Sequence, residues 1–246
     1  MNKVLYKNSE HTILYNDKKC KIMYKDKAYQ DEELNYPSIV LCHFENDFVG
    51  GQITDAKGNV FTKSGNVYIT STKSKFGNKS LYMESPSYLF SEVINSLSFG
   101  TGNFTIDFWA NSNQTGRGTL FALYNGGTYI DMLSLEPRMW FSNPTSGWKV
   151  DGEGAGRGTI SMISNMWNHV ALVRDGEYLT LYVNGMQSVR IKIGTVAQRD
   201  FGNLQCYLGA WQPVNYYYTG YIDELRITDT AIWTEEFTPP KEPYNN

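Results

Sequence analysis

The sequence predicts an all-β protein, a two-sheet antiparallel β-sandwich of jelly-roll type. Three observations carry that prediction. Residues 167–185 hold two alternating runs and two turn signals without interruption. In the first run His169, Ala171 and Val173 share one face, with Val170, Leu172 and Arg174 on the other. In the second, Leu179, Leu181 and Val183 oppose Tyr178, Thr180 and Tyr182. A period of two is what a strand in a layered sheet requires. Asp175-Gly176 and Asn184-Gly185 supply residues that accept positive φ at low cost, as two-residue hairpins demand. Finally, the chain carries roughly a dozen short strand-like runs and no amphipathic helix of ordinary length.

Taken in order, residues 1–37 stand apart from residues 38–246. Leu5-Tyr6-Lys7-Asn8, Leu14-Tyr15-Asn16-Asp17 and Met23-Tyr24-Lys25-Asp26 repeat an apolar residue, a Tyr and two polar turn-formers. The repeat predicts three short strands. So small a sheet cannot bury a core alone, which marks it as an attachment segment that packs on a partner or on copies of itself. A short acidic run and Tyr36-Pro37 read as a linker into the sandwich. Strands are then expected over 39–44, 67–70, 80–83, 88–90 and 103–110, where Phe104, Ile106 and Phe108 alternate with Thr105, Asp107 and Trp109. Residues 120–124 and 129–133 flank the hairpin signal Asn125-Gly126-Gly127. Further strands are expected over 137–141, 148–150, 159–163, the central pair, 188–193, 204–208 and 221–227, with a helical turn over 230–233.

Composition narrows the function. The chain has 246 residues, 19% charged, with a net charge of -3. No basic stripe with interleaved aromatics is present, so a nucleic-acid groove is not expected. The three cysteines, Cys20, Cys42 and Cys206, lack CxxC spacing and are expected as small buried thiols. No apolar run is long enough to cross a membrane, and no signal-peptide core opens the chain. Synthesis in a reducing cytoplasm is therefore expected, without membrane insertion.

Four motifs resemble one family. Phe104-Thr105-Ile106-Asp107-Phe108-Trp109, residues 167–174, Leu181-Tyr182-Val183-Asn184-Gly185 and residues 220–227 occur in the order and at the distances of the laminin G-like jelly roll of the concanavalin A-like lectin/glucanase superfamily. The tail over 231–240 is similar to a closing motif of bacteriophage virion proteins in that family. Residues 41–45 look like the family's first strand, with Glu45 where Asp is common. The resemblance implies one structural calcium ion, with Glu45, Asp223 and the Gly77 carbonyl as ligands, since a hard cation needs several oxygens. The competing reading has Asp223 accepting hydrogen bonds from loop backbone or pairing with Arg226.

A second candidate site is aromatic. Trp211, Gln212, Asn215, Tyr216, Tyr217 and Tyr218 crowd one expected loop, with Trp140 and Trp148 near another turn-rich stretch. Rigid rings with a polar handle suit stacking on sugars, and they equally suit a protein interface or packing within the chain. Catalysis is not expected. The family's hydrolases carry Glu-x-Asp-x-x-Glu on one strand, and that spacing does not occur. Gly152-Glu153-Gly154-Ala155-Gly156-Arg157-Gly158 lacks the Lys and the helix of a phosphate loop and reads as a mobile surface loop. The resemblance thus implies a non-catalytic phage virion protein, made in the host cytoplasm. Its N-terminal segment meets other virion proteins, and its sandwich binds host-surface carbohydrate or neighbouring virion proteins. A homo-oligomer is expected. A capsid or tail decoration protein without glycan binding, and a glycan hydrolase, are the alternatives.

Overall fold

The alternating runs become strands in the computed structural model, which describes residues 13–15, 18–20, 36–94, 97, 99–100, 102–116, 118–124, 129–134, 140–142, 155–192, 205–210 and 216–245. The chain divides into two units, residues 1–35 and 36–246. In the first, β1 (Ile13–Tyr15) pairs antiparallel with β2 (Lys18–Cys20), Ile13 opposite Cys20. The expected strands around Leu5 and Met23 lie outside the described residues.

The second unit carries β3 (Ser38–Cys42), β4 (Gln52–Thr54), β5 (Val60–Thr70), β6 (Ser80–Ser91), β7 (Phe104–Asn111), β8 (Gly118–Tyr124), β9 (Tyr129–Ser134), β10 (Trp140–Ser142), β11 (Ala155–Arg157), β12 (Asn168–Asp175), β13 (Tyr178–Val183), β14 (Met186–Lys192), β15 (Gln205–Leu208) and β16 (Gly220–Thr228). Every pairing is antiparallel, in the order β11-β10-β9-β8-β15-β6-β16-β7-β12-β13-β14, with β3 on β16 and β4 and β5 beyond β6. The path folds into two facing layers. Phe108 of β7 and Phe121 of β8, from opposite arms, meet with ring centroids 6.4 Å apart. The inward residues Phe104, Ile106, Phe108, Val170, Leu172, Leu179, Leu181 and Val183 join one core with Leu120, Phe121, Leu123, Cys206 and Leu208. Cys42 and Cys206 are buried free thiols, as expected of them.

Several expectations are corrected. The two short strands over 80–83 and 88–90 are one strand, β6, which passes from layer to layer: Leu81–Met83 pair with β16, Leu89 and Phe90 with β15. Its crossing point contains a cis Ser85-Pro86 bond and faces a bulge in β5 at Gly65. A Cβ at Gly65 would lie 2.6 Å from the Pro86 carbonyl oxygen, so glycine is required where these backbones cross. The expected strand over 159–163 does not form, because Ser188 takes its amides: Thr159 N–H donates to the Ser188 carbonyl (3.1 Å) and Ile160 N–H to its hydroxyl (3.1 Å). Instead β11 forms within the Gly-rich stretch and pairs with β10, Gly156 opposite Phe141. The first central turn is Gly176-Glu177, one residue later than expected, because Asp175 and Tyr178 are paired.

The helical turn expected over 230–233 is also absent. That segment is irregular because its backbone groups find partners on the sheet. Ile232 N–H donates to the Thr105 hydroxyl (3.0 Å), which donates to the Thr230 carbonyl (2.7 Å). The tail lies on the outer face of β7, β12, β13 and β16. Trp233 and Phe237 stack with centroids 4.0 Å apart and pack with Ala231 on Ala171, Val173 and Tyr182. Asn184 (φ 52) and Gly185 (φ 78) form the second central turn, and Phe237 N–H donates to the Gly185 carbonyl (3.0 Å). Hence β7 is buried along its whole length, by the core on one side and by the tail and loops on the other.

Under the tail sits a polar network. Arg226 Nε and Nη2 donate to Asp107 Oδ1 and Oδ2, each at 3.0 Å. His169 Nε2 lies 3.3 Å from Asp107 Oδ2 and 3.1 Å from the Tyr244 hydroxyl. Arg226 also lies over the Tyr244 ring at 3.9 Å. Burial alone would raise the Asp107 carboxyl, but Arg226 and His169 hold it below its ordinary value. Burial keeps His169 below the usual imidazole range against the pull of Asp107, so it sits in the network uncharged near neutrality. Removing one partner of such a pair leaves a bare buried charge. Arg226→Ala is therefore expected to destabilise the fold by about 3–5 kcal/mol in denaturant unfolding; a loss under about 1 kcal/mol would mean the pair is solvated.

Candidate binding surface

Glu45, Gly77 and Asp223 are brought to one loop, residues 74–79. Asp223 stands in β16 at the start of a bulge, beside Glu224 in a left-handed conformation (φ 51). Its Oδ2 accepts from Lys75 N–H (2.7 Å) and Phe76 N–H (3.3 Å), and its Oδ1 from Glu224 N–H (3.0 Å). Glu45 Oε1 accepts from Asn78 N–H (2.9 Å) and Lys79 N–H (3.2 Å). Gly77 (φ 57) lies against that carboxylate, where a Cβ would collide with Oε1, and its carbonyl accepts from the Ser74 hydroxyl (3.4 Å). A calcium site needs converging oxygens, whereas this loop turns its N–H groups towards both carboxylates. Among the described residues no cluster of three or more metal-ligating side chains forms. As arranged, these residues do not fit the cation that the resemblance implies; the competing reading, backbone donors on Asp223, is the geometry seen. Burial pushes the Asp223 carboxyl up to about 7 despite those donors.

The aromatic loop is only partly a surface. Trp211, Gln212, Asn215 and Trp148 lie outside the described residues. Trp140 is placed in β10, opposite Leu133 and Arg157. Tyr216 is exposed, its carbonyl accepting from Thr119 N–H (2.7 Å). Tyr217 is half-buried, and its carbonyl accepts from Gln114 Nε2 (3.0 Å). Tyr218 corrects the expectation: it is a fully buried core residue, its hydroxyl donating to the Tyr221 carbonyl (3.3 Å), and it presents no ring to solvent.

Residues 88–236 match the sequence profile of the concanavalin A-like lectin/glucanases superfamily. The chain belongs to that superfamily. Curated protein sequences give no match. Among solved structures, the superfamily member described here is similar to domain 4 of AbnA, a GH43 extracellular arabinanase from Geobacillus stearothermophilus solved with arabinotriose. The TM-score is 0.62 at 17% identity, covering 80% of this chain and 94% of that one. It is also similar to the binding domain of botulinum neurotoxin serotype G, with TM-score 0.59, 14% identity, and 80% and 48% covered. The binding domain of Paraclostridial Mosquitocidal Protein 1 gives TM-score 0.59, 14% identity, and 79% and 49% covered. The chain thus spans about half of each toxin domain. At these identities the likeness shows the fold.

Sequence reasoning missed two arrangements on this lectin-like scaffold. One is a dyad. His43 Nδ1 lies 2.8 Å from Glu224 Oε1, and Tyr244 N–H donates to Glu224 Oε2 (2.9 Å). That hydrogen bond raises the His43 imidazole above its usual value. The dyad borders a cleft of about 250 Å³ lined by Cys42, Phe44, Ile53 and Asp55. Burial pushes the Cys42 thiol well up, so it is no nucleophile. Asp55 is spent on the amides of Leu41, Lys57 and Asn59.

The other is a row of rings. Register places Tyr68 opposite Tyr82, Tyr82 opposite Tyr221, and Tyr221 opposite Asn111, across β5, β6, β16 and β7. Ring centroids step 6.3 Å from Tyr68 to Tyr82, 4.8 Å to Tyr221 and 6.4 Å to Trp167. The one sequence signal was parity: Tyr68 and Tyr82 each stand between two core-facing residues, and Tyr221 precedes Ile222.

Two results are expected from thermal melts. The Asp223 carboxyl binds its proton more tightly folded than unfolded, so its contribution is full below its ordinary value of 3.8 and is lost as pH rises to about 7. Wild-type protein should therefore lose stability relative to Asp223→Asn across that window; a constant difference would remove the raised carboxyl. Because N–H donors occupy both oxygens of Asp223 and Oε1 of Glu45, Tm should be the same in calcium and in EDTA. A rise with calcium would restore the cation.

Proposed function

We propose that this protein is a non-catalytic binding component of a bacteriophage virion. Residues 1–35 attach it to other virion proteins, and the sandwich is displayed outward to bind host-surface carbohydrate. The observation that carries this reading is the use made of the carboxylates. Asp107 is held by Arg226, Glu224 by His43 and the Tyr244 amide, Asp223 and Glu45 by the 74–79 loop, and Asp55 by its own turn. Two carboxyls flanking a scissile bond must be free to exchange a proton or attack; these five are tied to structure. The layer does offer the Tyr68–Tyr82–Tyr221 row to solvent, and rings with one polar end suit sugars.

Relatives of this fold support the reading without deciding it. One neighbour was solved with arabinotriose and two others are binding domains. The tail that resembles a closing motif of virion proteins here straps the layer shut, which favours a rigid display module. Contact with neighbouring virion proteins is the second reading, favoured by the pairing of β1 and β2 in a unit too small to fold alone.

A glycan array is expected to retain the protein, with no reducing sugar released from any bound glycan. Retention of none would remove the carbohydrate, and sugar release would remove the non-catalytic role. Protein lacking residues 1–35 should stay folded and no longer co-purify with phage particles; co-purification of the truncated form would remove the attachment role.

A further inference from the structure

The outer face of the β16–β7–β12 layer is closed almost everywhere. The tail covers Ala171, Val173 and Tyr182 and seals His169. The 71–79 loop covers the next row: Phe76 packs edge-on against Trp109 at 5.9 Å, and Lys75 Nζ stands 3.9 Å over the Trp109 ring. Among the described residues one strip of it stays open, the Tyr68–Tyr82–Tyr221 row with Trp167. Tyr68 is 44% exposed, and Tyr82, Tyr221 and Trp167 are half-buried. With strands about 4.8 Å apart, the two cross-strand steps from Tyr68 to Tyr221 span roughly 10 Å, and Trp167 extends the row beyond them. The rings of Tyr68 and Tyr82 lie within 12° of parallel.

The strip has charge at defined places. Lys73 Nζ stands 5.1 Å from the Tyr221 ring centre and 3.4 Å from Asn111 Oδ1. Among the described residues no carboxylate lies within ion-pair reach of it. Glu84 is exposed beside Tyr82 and adds to the forces that raise the Tyr82 hydroxyl, of which burial is the largest. A negative group on a ligand is thus repelled from the Tyr82 end and received at the Tyr221 end. Rings laid along a line, with hydroxyl edges and a cation that meets no carboxylate among the described residues, match a chain of sugars and not a flat apolar partner.

We propose that Tyr68, Tyr82, Tyr221 and Trp167, with Lys73, form a platform for a linear glycan, running across the strands and placing a carboxylate or phosphate group at Lys73. This rests on the carbohydrate reading above and assigns it to the Tyr68–Tyr82–Tyr221 row. The ligand lies over the rings, stacks on Tyr82 and Tyr68, and is oriented by its anionic group, which pairs with the ammonium.

The test uses the full chain and calorimetric titration with three probe sets: oligogalacturonates, phosphorylated oligomannosides and neutral oligomannosides. At least one acidic set should bind more tightly than the neutral set, with an affinity that falls as salt rises. Which acidic set binds identifies the anionic group. Tyr82→Ala and Tyr68→Ala should each weaken binding by about tenfold, the scale of losing one well-stacked ring. Lys73→Met should bring acidic and neutral probes to the same affinity while leaving Tm unchanged. Tyr88→Ala, on the outer face of the other layer, should bind like wild type. Acidic probes bound no better than neutral ones, or unaltered binding by both tyrosine variants, would overturn the platform. Loss on Tyr88→Ala alone would overturn it as well. Wild-type binding that survives every substitution leaves the carbohydrate reading standing and removes this site; no binding by wild type to these probes or to the array removes both.

Discussion

A bidentate ion pair between Asp107 and Arg226, sealed from water by the chain's own C-terminal segment, sets the terms for the rest of the sandwich. A sheet in a two-layer fold has an inner face that makes the core and an outer face that ordinarily meets water. Here the outer face carries a carboxylate, a guanidinium and an imidazole, and all three are buried. The two charges are tolerated only because they answer each other and find further polar partners, while burial keeps the imidazole uncharged. Tyr244 supplies a hydroxyl to His169 and a ring to Arg226, and its amide supplies a donor to Glu224. Trp233 and Phe237 exclude water above them. The tail is therefore a third partial layer, without which the outer face would hold solvated charges over an exposed apolar patch.

That arrangement explains where sequence reasoning succeeded. The 167–185 hairpins, the faces of β7 and β12 and the closing strand were legible because their signals are local: a period of two, and turn residues that accept positive φ. What failed depended on partners distant in sequence. β6 read as two strands because a proline inside a strand ordinarily marks an edge or an end; here it sits where one strand changes layers. The tail read as a helical turn because nothing nearby reveals that the Thr105 hydroxyl will take its backbone groups. Residues 159–163 failed for the same reason, with Ser188 as the distant partner.

The candidate sites divide along the same line. Glu45, Gly77 and Asp223 do converge, so the resemblance located a real junction. Residue types could not say whether the loop turns its carbonyls or its amides inward, and that choice separates a cation site from a backbone clamp. Tyr216, Tyr217 and Tyr218 looked equivalent as consecutive tyrosines; only the packing of the start of β16 sends Tyr218 into the core. The open tyrosine row was illegible for the opposite reason: its members stand in separate strands, and only register aligns them.

The 71–79 loop joins the structural and surface parts. Its amides clamp Asp223 and Glu45, its Lys75 covers Trp109, and its Lys73 stands over Tyr221. A mobile loop would leave Lys73 free to follow any anion, at an entropic cost repeated with each binding event. The Ser80 hydroxyl donates to the Lys73 carbonyl (2.6 Å), and the ammonium stands beside a ring whose own position is fixed by the β6 and β7 register. The same clamp buries Asp223 and lifts its carboxyl towards neutrality. The raised carboxyl and the fixed cation are thus two consequences of one act of packing, in which a loop is drawn down onto a sheet face that the tail leaves uncovered.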